Sequence, residues 1–240
     1  SIYVIEVNPR ASRTVPFVSK AIGVPLAKLA AKVMAGMTLE ELGYTEEVIP
    51  PFFAVKAPVF PFNKFPGIDM ILSPEMRSTG EVMGIDYDLG CAFIKAYQAA
   101  GVNLPLRGRV LISVKHTDKR AIVGEARMLA SMGFELIATD GTHKALTSAG
   151  LEATRVNKVH EGRPHIVDMV KNRELDLLLN TPAGKQQRHD DSAIRASAIS
   201  VGIPCVTTLA GIRMVVSALS ALQREELSVC SLQKYHADLK

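Results

Sequence analysis

The chain has 240 residues, which is long enough for one large domain or two ordinary domains, each with its own core. Hydrophobic residues make up 48% and charged residues 22%, as in ordinary globular proteins, while the aromatic fraction is only 5%. A net charge of +4 without a dense run of lysine and arginine argues against nucleic acid as a partner. The sequence has no apolar run of the roughly 18 residues that a membrane span needs. Three cysteines without metal-like spacing fit a reducing cytoplasm.

The first hundred residues combine short regular elements with an irregular stretch. Residues 2–7 have the pattern of a β-strand, and because the chain starts inside this pattern we expect it to be part of a longer protein. A helix is predicted over residues 27–34, and Thr38 with the glutamate three residues later has the spacing of a helix-starting capping box. Prolines between residues 50 and 66 exclude a long helix there and leave an edge strand over residues 55–62.

From about residue 107 onward, predicted strands and helices alternate. Strands are predicted at residues 110–114, 134–139, 154–156, 175–179 and 205–207, and helices at residues 118–132, 142–149, 164–172, 192–201 and 212–222. Alternating elements give parallel βα units, and almost continuous apolar strands indicate a sheet covered on both faces. We therefore predict an α/β protein with a doubly wound parallel sheet over residues 107–240, connected by a linker near residues 99–106 to a first domain of residues 1–100.

Polar groups suited to metal and phosphate follow the predicted first strand. Glu6 and Asn8 point to the same face of a strand, and both offer the hard oxygen ligands that Mg²⁺ prefers. Arg10 and Arg13 come next, and their planar guanidinium groups suit phosphate or carboxylate. Metal, phosphate and arginine together serve phosphoryl transfer, because that chemistry depends on charge neutralisation and positioning. An exposed strand end with ordinary charges is the alternative interpretation.

A second polar group is predicted at the carboxyl ends of the later strands, where open α/β sheets bind ligands. Hydroxyl groups, a glycine and backbone N–H groups at a helix start, over residues 139–142, are typical of an anion site, to which Lys119 and Lys158 would add charge. Helix capping by the threonines is the alternative, and it is compatible with anion binding. The candidate ligand-binding residues of this second group are Ser113, Lys119, Thr139, Gly141, Thr142, Lys158, Asn180 and Thr181.

Residues 6–20, EVNPRASRTVPFVSK, resemble the metal-binding end of the ATP-grasp domain in carbamoyl phosphate synthetase large subunits. Residues 23–28, 62–67 and 74–84 match that family as well, and residues 158–166 match its C-terminal domain. The resemblance covers essentially the whole chain, in order and at the family's spacing. It implies the C-terminal part of an ATP-grasp domain, of α+β fold, followed by a doubly wound methylglyoxal-synthase-like allosteric domain.

The resemblance also implies an activity and its partners. The parent enzyme would be an ATP-dependent ligase that makes carbamoyl phosphate from bicarbonate, ammonia delivered by a glutaminase small subunit, and two molecules of ATP. Glu6 would bind the catalytic Mg²⁺ or Mn²⁺ ions beside ATP, and Asn8 would bind one of those ions. Arg10 and Arg13 would lie near the phosphates and carbamate, with K⁺ as a further candidate ion and UMP or IMP as the effector. We expect a cytoplasmic oligomer serving pyrimidine and arginine biosynthesis, with the fragment alone inactive.

One position departs from the family and leaves the effector's identity open. Relatives carry two threonines after the asparagine, whereas this chain has Thr181-Pro182, which lacks a hydroxyl and an N–H group. A stand-alone nucleotide-binding regulatory module without catalysis is one alternative to the ligase. Methylglyoxal synthase is another, but it needs carboxylates to move protons, and this chain has Gly162-Arg163 and Thr181-Pro182 where that family has its acids.

Overall fold

The computed structural model describes residues 3–6, 12–59, 80–182, 188–224 and 226–239, without the side chains of residues 188–191. Its helices are α1 Thr14–Ile22, α2 Leu26–Met34, α3 Leu89–Ala99, α4 Lys119–Ser131, α5 Asp140–Ser148, α6 Ile166–Lys171, α7 Arg188–Val201, α8 Leu209–Arg224 and α9 Leu232–Ala237. Its strands are β1 Phe53–Val59, β2 Gly80–Asp86, β3 Gly108–Ser113, β4 Phe134–Thr139, β5 Thr154–Val156, β6 Leu177–Asn180 and β7 Cys205–Val206. None of these described helices is long and apolar enough to cross a membrane.

The strands from β3 onward form one parallel sheet in the order β5-β4-β3-β6-β7. The chain builds outward from β3 through β4 to β5, and then returns to add β6 and β7 on the other side of β3. This reversal is a topological switch point between β3 and β6. The predicted doubly wound parallel sheet is therefore confirmed.

Apolar side chains cover both faces of this sheet. Val110 and Ile112 of β3 belong to one buried cluster, which includes residues of α4, α5 and α8. Leu111 lies between them in sequence and belongs to a second cluster, with Ile166 of α6 and Ile194 of α7. Successive residues of a strand face opposite sides of the sheet, so a strand made only of apolar residues is buried on both faces of the sheet.

The first half of the chain contains an antiparallel hairpin of β1 and β2 covered by helices from two distant segments. Helix α3 packs so closely on β2 that a Cβ on Gly84 would overlap the carbonyl oxygen of Ala92. Helix α9, near the end of the chain, contributes Tyr235 to a small buried cluster with Phe52 and Ile85. The division into residues 1–100 and 107–240 stays a prediction, and α9 packs on the first of these two segments.

The strand predicted over residues 2–7 is wrong for its described part. Residues 3–6 are not in a strand, and Tyr3 and Ile5 are 82% and 95% exposed. Among the described residues no strand pairs with this segment. A strand needs neighbours to satisfy its backbone groups, so the sequence pattern alone does not produce one.

The capping box predicted at Thr38 does form, but the helix after it does not. The backbone N–H of Glu41 donates to Thr38 Oγ1 over 3.2 Å, and the Thr38 N–H donates to Glu41 Oε2 over 2.9 Å. Residues 39–43 then make turns instead of a regular helix. Gly43 has a left-handed φ of 65° and ends the segment, because this conformation does not continue a right-handed helix.

The helix predicted from Pro164 begins later, at Ile166. His165 occupies the N-cap position, where its ring nitrogen Nδ1 accepts from the Asp168 N–H over 3.4 Å. The Asp168 side chain accepts in return from the His165 N–H over 3.1 Å. This reciprocal cap satisfies donors at the start of α6, so the helix starts after the histidine.

Candidate functional site

The carboxyl ends of β3, β4 and β6 meet at the switch point of the sheet, where open α/β folds bind ligands. Ser113, Thr139 and Asn180 end these strands and are only 6%, 3% and 0% exposed. The Thr139 hydroxyl donates to the Ser113 hydroxyl over 3.3 Å, and Asn180 Nδ2 donates to the Ser113 carbonyl oxygen over 3.2 Å. The structure thus brings these three predicted residues together as a buried polar floor.

Two further predicted residues, Thr142 and Thr181, fasten the loop after β3 to this floor. Thr142 lies in the first turn of α5, and its Oγ1 accepts from the Val114 N–H over 3.3 Å. Thr181 follows β6, and its Oγ1 accepts from the Lys115 N–H over 3.0 Å. A hydroxyl that accepts from an N–H group keeps its own hydrogen to donate, so both threonines retain a donor suited to an anion.

A lysine and a glycine form part of the rim. The ammonium group of Lys119, at the start of α4, lies so close to Gly141 that a Cβ there would overlap it. Gly141 is the second residue of α5, whose first backbone N–H groups have no partner within the helix. Lys158 comes two residues after β5, which pairs with β4, so it follows a strand at the same edge of the sheet. The lysine ammonium beside a helix N-terminus makes this corner electropositive.

Asp140 is the first residue of α5, and its charge is compensated locally. Lys144 and Arg155 form ion pairs with it at 2.9 and 3.3 Å. The hydrogen bond from Lys144 is the main cause that holds the pKa of Asp140 below its ordinary value, with the charge of Arg155 acting in the same direction. The acid is therefore ionised at neutral pH but does not leave uncompensated negative charge at the start of the helix.

Arg195 on α7 belongs to this crevice, and the sequence did not predict it. It is 1% exposed, and its Nη1 donates to Asn180 Oδ1 over 2.8 Å. Burying a guanidinium group is costly unless it is hydrogen-bonded, so its position beneath the floor requires partners such as this one. The sequence offered only one weak signal, a single arginine among small and apolar residues of a helix.

The residues predicted to bind metal and phosphate in the first half are only partly described. Glu6 is exposed, and Arg13 occupies the N-cap position of α1. Asn8 and Arg10 lie outside the described residues. No group of three or more His, Cys, Asp or Glu within the described ranges could hold a metal ion. A single carboxylate such as Glu6 fits Mg²⁺ or Mn²⁺ as one ligand of a larger set, so this metal site stays a prediction.

Positive charge collects in a groove next to Arg13. Lys20 of α1 and Lys56 of β1 line the same groove, together with Glu81 of β2. The Lys56 ammonium group donates to Thr14 Oγ1 over 3.1 Å and pairs with Glu81 at 3.5 Å. Three cations against one carboxylate give this groove a net positive charge, which suits an anionic substrate.

Two family models match the chain. The MGS-like domain matches residues 121–207, and the carbamoyl-phosphate synthase L chain, ATP binding domain, matches residues 1–42. Carbamoyl phosphate synthase large chains from Nostoc sp. and Pseudomonas putida are 53% and 55% identical over 98% and 100% of this chain. The chain belongs to the carbamoyl phosphate synthase large-chain family. It spans about a fifth of the length of these curated relatives, 21% and 22% respectively.

The family assignment confirms the resemblance seen in the sequence, with the end of an ATP-grasp domain preceding an MGS-like domain. Another carbamoyl phosphate synthase large chain, from Archaeoglobus fulgidus, is 51% identical over 99% of this chain, and the match spans 22% of that protein's length. A solved structure, a methylglyoxal synthase from Elizabethkingia anophelis NUHP1, has a TM-score of 0.39 and 22% identity, covering 48% of this chain and 80% of that one. Of the crevice residues, Ser113 and Lys119 precede the MGS-like match, and the others lie within it.

Proposed function

We propose that the chain serves a carbamoyl phosphate synthase in two ways, by completing the carbamate-phosphorylating site and by binding a nucleotide effector. The full-length protein would be an ATP-dependent ligase acting on bicarbonate and ammonia, with a glutaminase subunit as its partner. The support for this proposal is the identity of 53% or more to two large chains over nearly the whole sequence. The isolated chain would bind nucleotide without turnover.

The effector proposal depends on one observation, the polar crevice at the switch point of the parallel sheet. Its proposed anion-binding groups, the N-terminus of α5 with Thr142 and Lys119, lie after the end of β4 and at the start of α4. Ser113 and Asn180 continue the polar floor across β3 to β6. A ligand with a phosphate at one end and hydrogen-bonding groups at the other fits this division, and UMP or IMP has that chemistry.

Titration calorimetry of the full-length protein with UMP tests the effector site. Removing a charged hydrogen-bond partner costs about 1.5–3 kcal/mol, so Lys119→Ala should weaken the Kd roughly 10- to 100-fold. Lys171→Ala, at the end of α6, removes the same charge away from the crevice and should leave the Kd unchanged. No binding of UMP or IMP at millimolar concentration, or equal affinities for Lys119→Ala and the unsubstituted protein, would contradict the proposal.

The catalytic proposal assigns Glu6 and Asn8 to Mg²⁺ or Mn²⁺ beside ATP, and Arg10 and Arg13 to the phosphates and carbamate. A divalent ion would neutralise the phosphate oxygens, while Arg13 at the start of α1 would hold an anionic group. In the full-length protein, Glu6→Gln should nearly abolish the carbamate-phosphorylating step and leave the fold intact, because an amide is a poorer ligand than a carboxylate. ATP-dependent synthesis of carbamoyl phosphate at limiting Mg²⁺ is the measurement, and a near-normal rate would argue against Glu6 as a ligand.

A further inference from the structure

The Asn180 amide is fixed from both ends. Its Nδ2 donates to the Ser113 carbonyl oxygen over 3.2 Å, and its Oδ1 accepts from Arg195 Nη1 over 2.8 Å. The two ends of an amide have almost the same shape, so hydrogen-bond partners decide which end points where. A guanidinium group can only donate and a backbone carbonyl can only accept. Both partners therefore permit the same orientation and exclude the flipped one.

These contacts continue a hydrogen-bonded chain across the switch point. Arg195 on α7 bonds Asn180 at the end of β6, Asn180 bonds Ser113 at the end of β3, and Ser113 accepts from Thr139 at the end of β4. Arg195 and Asn180 are 1% and 0% exposed, so this chain lies beneath the crevice and not at its rim. The groups at the α5 N-terminus lie on the β4 side of β3, and Asn180 lies on the β6 side.

We infer that Arg195 is a positioning residue, which acts through Asn180 to set the part of the crevice that meets the nucleoside. This inference rests on the proposed binding of a nucleotide effector. Without Arg195 the Asn180 amide loses a charged partner of its oxygen, so its plane can shift although the bond to the Ser113 carbonyl oxygen remains. The phosphate subsite at α5 lies further along the hydrogen-bonded chain, beyond Ser113 and Thr139, so the nucleoside part of the ligand should lose more than the phosphate part.

The test compares affinities for UMP and for inorganic phosphate in the full-length protein. Arg195→Met should weaken UMP binding about 10-fold, because it removes one charge-assisted hydrogen bond from the floor. The affinity of this variant for inorganic phosphate should change by no more than about twofold, because substitutions at distant sites act almost independently. Arg195→Lys keeps a charged donor and should recover part of the lost UMP affinity. If the methionine variant does not fold, the same affinities are measured with the lysine variant.

A double-mutant cycle shows whether Arg195 acts through Asn180. In an Asn180→Leu background, Arg195→Met should have no further effect on UMP affinity beyond about twofold. The matched control is Arg213→Met on α8, which removes a guanidinium that pairs at 3.6 Å with Glu125 outside the crevice. Additive losses in the cycle, an equal loss of UMP and phosphate affinity, or the same loss in the Arg213 control would each overturn the inference.

A crystal structure of Arg195→Met separates this inference from the effector proposal. We expect Asn180 Oδ1 to leave the position that Arg195 Nη1 holds at 2.8 Å in the unsubstituted protein. An unchanged amide would overturn the positioning role whether or not nucleotides bind. If the unsubstituted protein binds neither UMP nor phosphate while the amide moves as expected, the effector proposal fails and the structural role of Arg195 stands.

Discussion

Gly141 connects the backbone of the crevice to its charge. A Cβ at this position would overlap the ammonium group of Lys119, so the absence of a side chain lets the lysine approach the start of α5. Gly124 in α4 is a useful comparison, because a Cβ there would meet nothing within 4 Å. The two glycines differ in surroundings although both lie in helices.

We therefore predict opposite outcomes for alanine at these two positions. Gly141→Ala should displace the flexible lysine and lower the affinity for UMP and inorganic phosphate, with the helix still formed. Gly124→Ala should leave both affinities unchanged and raise the free energy of unfolding by about 0.5–1 kcal/mol, because alanine is the better helix residue. Calorimetry and urea denaturation provide the two measurements, and an unchanged phosphate affinity for Gly141→Ala would show that Lys119 does not serve the anion.

For single residues, the sequence predicted the positions of polar groups at strand ends better than the positions of buried charges. Ser113, Thr139 and Asn180 each come at the end of an apolar run, and parallel strands bring their carboxyl ends to one edge, so their proximity followed from the pattern. Arg195 was not predictable in this way, because its burial depends on how α7 packs against β6. Asn8 and Arg10 stay predictions, since no contact of theirs is described.

Among the described helices and strands, those from β3 to α8 were predicted with limits within about four residues, and four other described elements were not predicted. The strands Phe134–Thr139 and Thr154–Val156 have their predicted limits. The unpredicted elements are α1, β2, α3 and α9. Helix α3 lies between the β1–β2 hairpin and α8 and buries residues on several sides, among them Cys91, Ala92 and Ile94. A helix buried on several sides lacks the amphipathic period on which sequence reasoning depends.

The contact between β2 and α3 gives a prediction about packing. A Cβ on Gly84 would overlap backbone atoms of α3, whereas a Cβ on Gly80 of the same strand would lie 3.5 Å from Val59, an ordinary contact. Gly84→Ala should therefore lower the free energy of unfolding by at least about 1–3 kcal/mol, since backbone cannot move aside as a side chain does. Gly80→Ala should cost much less. Thermal unfolding of both variants checks this, and equal stabilities would mean that α3 can shift without penalty.

At the scale of the whole molecule, α9 packs against the first half of the chain. Besides Tyr235, His236 on α9 contacts the carbonyl oxygen of Lys20 at the end of α1 through Nε2, at 2.6 Å. The Tyr87 hydroxyl donates to the Asp238 carboxylate, and this hydrogen bond is the main cause that raises the pKa of Tyr87 to about 12. Helix α8, which leads toward α9, also packs on α3. The sequence pattern did not predict this packing of α9, because contacts between distant segments have no local signature.

The last prediction concerns Tyr235, whose side chain is 3% exposed and joins α9 to the hairpin. Its ring lies 5.1 Å from the ring of Phe52, and its hydroxyl donates to the Ile85 carbonyl oxygen over 3.1 Å. Tyr235→Ala should cost about 3–5 kcal/mol, because a two-stranded hairpin loses the aromatic residue that covers it. Tyr235→Phe should cost only about 0.5–1.5 kcal/mol, since Lys95 also donates to the same carbonyl over 3.2 Å.

Hydrogen exchange followed by mass spectrometry localises the effect of this substitution. In Tyr235→Ala the backbone amides of β1 and β2 should exchange faster. Without the tyrosine ring the hairpin loses packing, so its local opening costs less free energy. The amides of β3, β4 and β6 should keep their protection, since their core contains no residue of α9. Tyr235→Phe serves as the control, with protection of the hairpin close to that of the unsubstituted protein. Faster exchange throughout the parallel sheet, or no change in the hairpin, would mean that α9 does not hold the first half in the way that its contacts indicate.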